Sequence, residues 1–548
     1  MKVSYKNIEI EIENENATVI EAFKEAIEEK ENIIACMVNN EVKPLNYVLK
    51  ENDEVELLNT STRDGARTYT RGLLFIMAMA FEELYPQIKL TVNFQLSSSM
   101  YCETKQDEIV TEEMIEKVKN KMQEIINKNL PIKKVQMSKE EASKFIKKEN
   151  TEIGEIQLEN KDKKEVSLYF CEEYYNYFYG VMPISTGYIN LFDIMKYHDG
   201  FLIRYPSKNK PNEIKPYQEG KKLLATLEEY DDIYRILGIA TLSQLNEKIR
   251  NGEAKDIILL SEALHEKKIA NIADKIIEDR KKRVILIAGP SSSGKTTFAK
   301  RLGIQLKLNG LKSKTISVDN YFVEREETPR DEFGNYNFEA LEAVDLKLLN
   351  EHLVKLLNGE EIEVPTFDFK KGTKYYTGKT MKLEEDEVLV MEGIHCLNDE
   401  LTPAIDKNQK FKIYISALTV LNIDYYNRIS TTDTRIIRRT VRDSRFRGYD
   451  ALRTLSSWYS ISAGEEKYIF PFQEDADVMF NTSLIYEINA LKKYALPLFN
   501  QIGKEEKEYA EAKRLTEFLK YFEQIDIEDI PKNSLLREFI GGGIFNYD

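Results

Sequence analysis

Arg283 to Thr297 reads RVILIAGPSSSGKTT. Val284, Ile285, Leu286, Ile287 and Ala288 form a short apolar run with β-branched residues, closed by Gly289 and Pro290. Such a run reads as a strand buried on both faces, as in a parallel sheet. Gly289, Pro290, Ser291, Ser292, Ser293, Gly294, Lys295 and Thr296 then fit the spacing G-x-x-x-x-G-K-[ST], and Thr297 follows. Small residues let the backbone curl so that successive N–H groups converge on a phosphate. Lys295 supplies a mobile cation for the β- and γ-phosphates, and Thr296 offers a hydroxyl to Mg²⁺. Phe298, Leu302 and Leu306 recur at helical spacing, and Gly310 is placed to end the helix. The helix N-terminus brings its positive dipole end to the phosphates. A chance Gly/Ser-rich loop would lack the strand before and the helix after. The stretch is therefore expected to bind a nucleoside triphosphate with Mg²⁺.

Downstream, Ser313 to Phe322 reads SKTISVDNYF and puts Asp319 at the C-terminal end of a second strand. Ligands bind at that end of an open α/β sheet. Glu387 to Gly393, EVLVMEG, is a third apolar strand ending in Glu392, a hard carboxylate suited to Mg²⁺. Phe411–Ser416 and Ala476–Asn481 read as further buried strands. Strands alternating with helices imply a parallel sheet. Arg435, Arg438, Arg439, Arg442, Arg445 and Arg447 follow within thirteen residues, the first four spaced for one helix face. Arginine suits the spread charge of a transferring phosphoryl group. The blander alternative is a solvated helix, salt-bridged through Asp433 and Asp443.

The segments GPSSSGKTT, SVDNYF, NFEALEAVD (Asn337–Asp345), VPTFDF (Val364–Phe369), VMEGIH (Val390–His395) and DTRIIRRTVRD (Asp433–Asp443) occur in the order of the uridine kinase/phosphoribulokinase family. The stretch 283–482 resembles uridine kinase most. The resemblance implies an ATP:nucleoside 5′-phosphotransferase with Asp319 and Lys295 as catalytic residues. Residues 289–297 would bind ATP, and Thr296 and Glu392 would serve Mg²⁺. Tyr321, Glu339, Phe367, Arg439 and Arg442 would contact substrate, and Arg445 and Arg447 would belong to a closing lid. The family carries Asp where Glu339 stands, Tyr where Phe367 stands and His where Gly372 stands, so the base is left open. His395, without a family counterpart, reads as structural.

In the first sixty residues, Ile8, Ile10 and Ile12 alternate with acids as in a half-buried strand. Thr18 and Glu21 make a capping box for a helix whose apolar face is Ala22, Phe23, Ala26 and Ile27. Ile33–Val38 and Glu54–Leu58 read as further strands. The pattern is β-grasp-like and resembles the TGS domain. Six Lys, no Arg and fourteen Asp or Glu argue against RNA binding by this part. Next come two amphipathic helices, Arg67–Glu83 and Thr111–Lys128, the second with Met114, Ile115, Val118, Met122, Ile125 and Ile126 inward. With Leu168–Tyr174 and Pro183–Tyr188 they are similar to the editing domain of threonyl- and alanyl-tRNA synthetases. That family's H-x-x-x-H pair falls on Arg67 and Arg71. Cys171 is kept, but Tyr174 replaces a histidine. One ligand of four does not hold tetrahedral zinc, so no zinc is expected. The seven aromatics between Tyr169 and Tyr179 are read first as packing and second as a ligand pocket.

A chain of 548 residues implies two to four domains. The expected order is a TGS-like β-grasp domain (1–60), an editing-like α+β domain without metal ligands (61–222), a helical connector (223–282) and an α/β P-loop nucleoside kinase domain with a C-terminal helical extension (283–548). The net charge of −15 argues against nucleic acid as a general partner. Four scattered cysteines suit a reducing, cytoplasmic setting. Leu73–Phe81, the longest apolar run, is too short to span a membrane, and Lys2-Val-Ser-Tyr opens a strand instead of a leader. A homo-oligomer stays open. So do two other functions: a kinase for another small alcohol, pantothenate- or phosphoribulose-like, and an RNA- or translation-associated regulator that binds ATP.

Overall fold

The computed structural model describes residues 1–6, 8–29, 31–104, 109–146, 154–159, 164–331, 334–368 and 371–546. Phe369, the last residue of VPTFDF, lies outside them.

A parallel five-stranded sheet positions the site. Its order is Lys312–Ser317, Glu387–Glu392, Val284–Ala288, Lys410–Ser416, Val478–Asn481, all neighbours parallel. Successive side chains of a strand point to opposite faces. Ile285, Ile287, Val388 and Val390 accordingly pack with Ile269, Ile272 and Ile276 of helix Ala254–Glu278 and with Phe298 and Leu302 of helix Lys295–Leu308. Val284, Leu286, Leu389 and Met391 face the other way, against Leu349, Leu353 and Leu356 of helix Leu346–Leu357. Both faces are covered, which is why these strands read as unbroken apolar runs.

The front of the chain forms a mixed five-stranded sheet, ordered Ile8–Glu11, Lys2–Tyr5, Glu54–Asn59, Ile33–Val38, Glu41–Lys43. Glu21 Oε2 accepts from Thr18 N at 2.9 Å and from Thr18 Oγ1 at 2.8 Å, forming the capping box. Two expectations need correction. Ile8–Glu11 is an edge strand, so Ile8 is 65% exposed instead of half-buried. The helix after Thr18 breaks at Phe23, whose buried ring joins the core, leaving two short pieces, Val19–Ala22 and Lys24–Glu29.

The middle holds a four-stranded antiparallel sheet (order Asp193–Tyr197, Gly200–Arg204, Ser99–Thr104, Leu90–Gln95) and a three-stranded one (Tyr174–Asn176, Glu165–Cys171, Lys133–Ser138). Helix Arg63–Leu84 starts four residues before the sequence expectation, because Thr62 Oγ1 caps it by accepting from Gly65 N at 3.1 Å. Thr111 caps helix Glu112–Lys128 in the same way.

The middle is fastened to the parallel-sheet region. Val92 N donates to Tyr425 O, Asn422 Nδ2 to Val92 O and Arg428 Nε to Asn93 O, all within 3.0 Å. A charged cluster joins three helices. Arg67 of helix Arg63–Leu84 donates to Glu511 of helix Tyr509–Leu519 at 2.6 Å. Arg514 donates two bonds of 2.7 Å to Asp433, in the first turn of helix Thr431–Arg442. Among the described residues, no helix is long and apolar enough to cross a membrane.

Candidate active site

The central strand delivers Gly289–Gly294 to the C-terminal edge of the sheet. Ser292 (φ 59°) and Gly294 (φ 89°) both take left-handed backbone, which curls the loop around the start of the next helix. The Ser292 and Ser293 hydroxyls are buried with no hydrogen-bond partner among the described residues. Lys295 Nζ folds back onto Gly289 O (3.0 Å) and Pro290 O (3.3 Å). Buried unpartnered donors beside a helix N-terminus fit a bound phosphate.

Strand Lys312–Ser317 pairs in register with Glu387–Glu392, Ser317 opposite Glu392. The short 3₁₀ turn Val318–Tyr321 follows, so Asp319 and Glu392 reach the same edge. Thr296 Oγ1 donates to Glu392 Oε1 at 3.4 Å. Burial, and next the Asp319 charge, push the Glu392 carboxyl up to about 7, while Lys295 pulls it down. A hydroxyl and a carboxylate of this kind are the hard oxygen donors Mg²⁺ takes, and their crowding with Asp319 leaves negative charge for a cation to balance.

Glu339 enters the same cluster. It packs so closely on helix Ala451–Tyr468 that a Cβ on Gly464 would lie 2.4 Å from its own Cβ. Burial first, then the charges of Glu465 and Asp319, raise its carboxyl to about 7 against the pull of Arg439 and Lys295. Phe367 packs on Phe322 with ring centroids 5.6 Å apart. Tyr321 is fully buried and its hydroxyl is engaged by His352 Nδ1 at 3.0 Å, so its bonding group turns to the core. Gly372 is left-handed (φ 74°), and a Cβ there would meet Arg325 Nε at 2.5 Å. A side chain at this position would have to push the Arg325 side chain aside and strain the backbone. His395 is buried, edge-on to Tyr468, and held neutral by burial, which lowers it to about 4.

Arg435, Arg438 and Arg439 grip the phosphate loop, while Asp443 pairs with Arg439, Arg442 and Arg447 as the salt-bridged alternative has it. Arg435 donates to Ser291 O at 3.0 Å and pairs with Glu465. Arg438, fully buried, donates to Ser292 O at 3.4 Å, Thr482 O at 2.8 Å and Glu487 Oε2 at 2.5 Å. Arg439 donates to the Ser291 hydroxyl. Arg442 is held by Asp443 at 2.7 Å. Arg445 lies over the rings of Phe446 and Tyr494. Arg447, half-exposed, stands 3.8 Å from Asp443. Asp433 pairs with Arg514, not with the row. Two acids at the loop carried no sequence signal. Glu465 Oε1 accepts from Ser291 N at 3.0 Å, and Glu538 Oε2 accepts from Thr297 N at 3.1 Å.

The expected metal positions of the middle region are otherwise engaged. Arg67 is paired as above, Arg71 donates to Val181 O at 3.1 Å, and Tyr174 packs edge-on to Phe75 and accepts from Asn176. Burial raises the Cys171 thiol to about 11, far from a thiolate ligand. The purified protein is expected to carry no stoichiometric zinc. Elemental analysis finding about one zinc per chain would overturn that.

Residues 284–486 match the model of the phosphoribulokinase/uridine kinase family. Uridine kinase of Halalkalibacterium halodurans is 34% identical over 174 residues, 32% of this chain and 71% of that protein. Uridine kinase of Halobacterium salinarum is 28% identical over 194 residues, 35% of this chain and 77% of that protein. The N-terminal region is similar to threonine–tRNA ligase of Clostridium kluyveri, 30% identical over 151 residues. That match takes in 27% of this chain and only 24% of the ligase.

Proposed function

The chain belongs to the phosphoribulokinase/uridine kinase family through residues 284–486, and from that premise we propose that it transfers the γ-phosphoryl group of ATP to the 5′-hydroxyl of a nucleoside. The observation that carries this is the meeting of Asp319, Glu392 and Lys295 at the sheet edge beside the phosphate loop. The loop N–H groups and Lys295 hold the triphosphate. Thr296 and Glu392 are the residues that would hold Mg²⁺, which neutralises charge on the β- and γ-phosphates. Asp319 orients the acceptor hydroxyl and takes its proton. The hydroxyl oxygen bonds to the γ-phosphorus, the bond to the β–γ bridging oxygen breaks, and ADP leaves. Arg439 and Arg442 face the transferring group, with Arg445 and Arg447 closing over it.

Turnover of ATP against a panel of nucleosides, with pantothenate and phosphorylated pentoses as competing acceptors, tests the reading. Phosphorylation confined to non-nucleoside alcohols would replace it with a different small-molecule kinase. The ligase-like front gives a second reading, an RNA-associated regulator. Tight tRNA binding with no phosphorylation of any small acceptor would favour it. The six lysines against fourteen acids of residues 1–60 weigh the other way.

The raised carboxyls give a pH dependence. A carboxyl whose folded pKa lies above its unfolded value binds more protons folded than unfolded. Its stabilising contribution is therefore complete below the ordinary carboxylate range and is lost as pH rises to about 7. Glu392→Gln is expected to melt higher than the parent at pH 8 without Mg²⁺, with the gap closing toward pH 5. Mg²⁺ should raise the melting temperature of the parent and not of the variant. Equal melting curves at pH 8 would refute the assignment.

A further inference from the structure

Thr297 follows the loop motif, and its N–H belongs to the first turn of helix Lys295–Leu308, where backbone donors have no intrahelical partner. The dipole at that end favours an anion, and in a G-x-x-x-x-G-K-[ST] loop that anion is a nucleotide phosphate. In the described structure the donors are taken. Glu538 Oε2 accepts from Thr297 N at 3.1 Å and from Thr297 Oγ1 at 2.6 Å. Glu538 arrives on a segment beyond residues 284–486, the part that matches the family.

That segment is wedged in place. Leu535, Leu536 and Phe539 are fully buried. Leu535 closes over the left-handed turn of the loop, where a Cβ on Gly294 would lie 2.6 Å from its Cδ2. The Arg438 guanidinium, which also bonds Ser292 O, lies 5.0 Å from the centre of the Phe539 ring. One donor pair cannot serve two anions.

We propose that Glu538 is the resident occupant of the nucleotide site, holding donors that a phosphate of ATP takes, so that ATP enters by displacing the segment around it. This rests on the reading of the loop as an ATP site. The segment then sets nucleotide affinity, and anything that loosens it opens the site.

Calorimetric titration of the full chain with MgATP tests this in the parent, Glu538→Gln and Glu538→Ala. A hydrogen bond to a charged group is worth about a factor of ten or more, so Glu538→Ala should bind MgATP about tenfold tighter, and Glu538→Gln, which loses the charge but keeps an oxygen acceptor, tighter by a smaller factor. Hydrogen exchange of residues 534–541 in the parent should quicken on adding MgATP, a readout that needs no variant to fold. Unchanged or weaker binding in Glu538→Gln, or slowed exchange of the segment, would overturn the proposal alone. Absence of MgATP binding in all three proteins would bring down the nucleotide reading with it.

Discussion

Lys295→Ala is expected to remove phosphoryl transfer, by about 10²–10³-fold in kcat, while leaving the fold intact. The magnitude is that of losing one preorganised donor from a site that stabilises developing charge. The fold survives because, among the described residues, Lys295 Nζ donates only to the carbonyls of its own loop, Gly289 and Pro290. Those carbonyls can turn to water when the ammonium is lost. Near-normal turnover in a variant with a parental melting temperature would remove the kinase chemistry from this loop.

Asp319→Asn is expected to retain ATP binding and lose about 10²-fold or more in kcat, the usual contribution of a general base. The amide can still orient an acceptor hydroxyl but cannot take its proton. Asp319 stands in the 3₁₀ turn after its strand, within electrostatic reach of Glu392 and Glu339. The substitution also removes one negative charge from that crowded group, so the variant should melt no lower than the parent. A lowered melting temperature with turnover kept would mean that Asp319 only closes the loop after its strand. Melting temperature, ATP affinity and kcat on this one protein separate the two.

The centre of the parallel sheet was legible because Val284–Ala288 and Glu387–Glu392 are short apolar runs, and because Val284–Ala288 leads directly into a loop whose spacing admits few other readings. A local signal also marked the cap at Thr18. Residues that act across long loops gave no such signal. Glu465 and Glu538 reach the phosphate loop from 174 and 241 positions away. No periodicity encodes such a meeting, since tertiary packing alone produces it. The arginine row was visible as a cluster, but spacing could not say that Arg435 and Arg438 turn inward to the loop backbone. The Tyr321 hydroxyl was likewise invisible as a core bond, because its partner His352 comes from a helix thirty-one positions on.

The apolar core that runs from Phe94 through Tyr230 and Ile437 to Phe539 bears on how the protein comes apart. A piece beginning at residue 283 would lose Leu224, Tyr230 and Leu245, and would bare Leu418, Val420 and Leu421 to water. It would also leave Asp433 and Glu511 to share Arg514 alone, once Arg63 and Arg67 are gone, one positive charge short in a partly buried setting. The recognisable units of this chain are thus not its units of folding. Heating should melt middle and sheet together in one calorimetric transition, and limited proteolysis should release no working catalytic fragment beginning near residue 283.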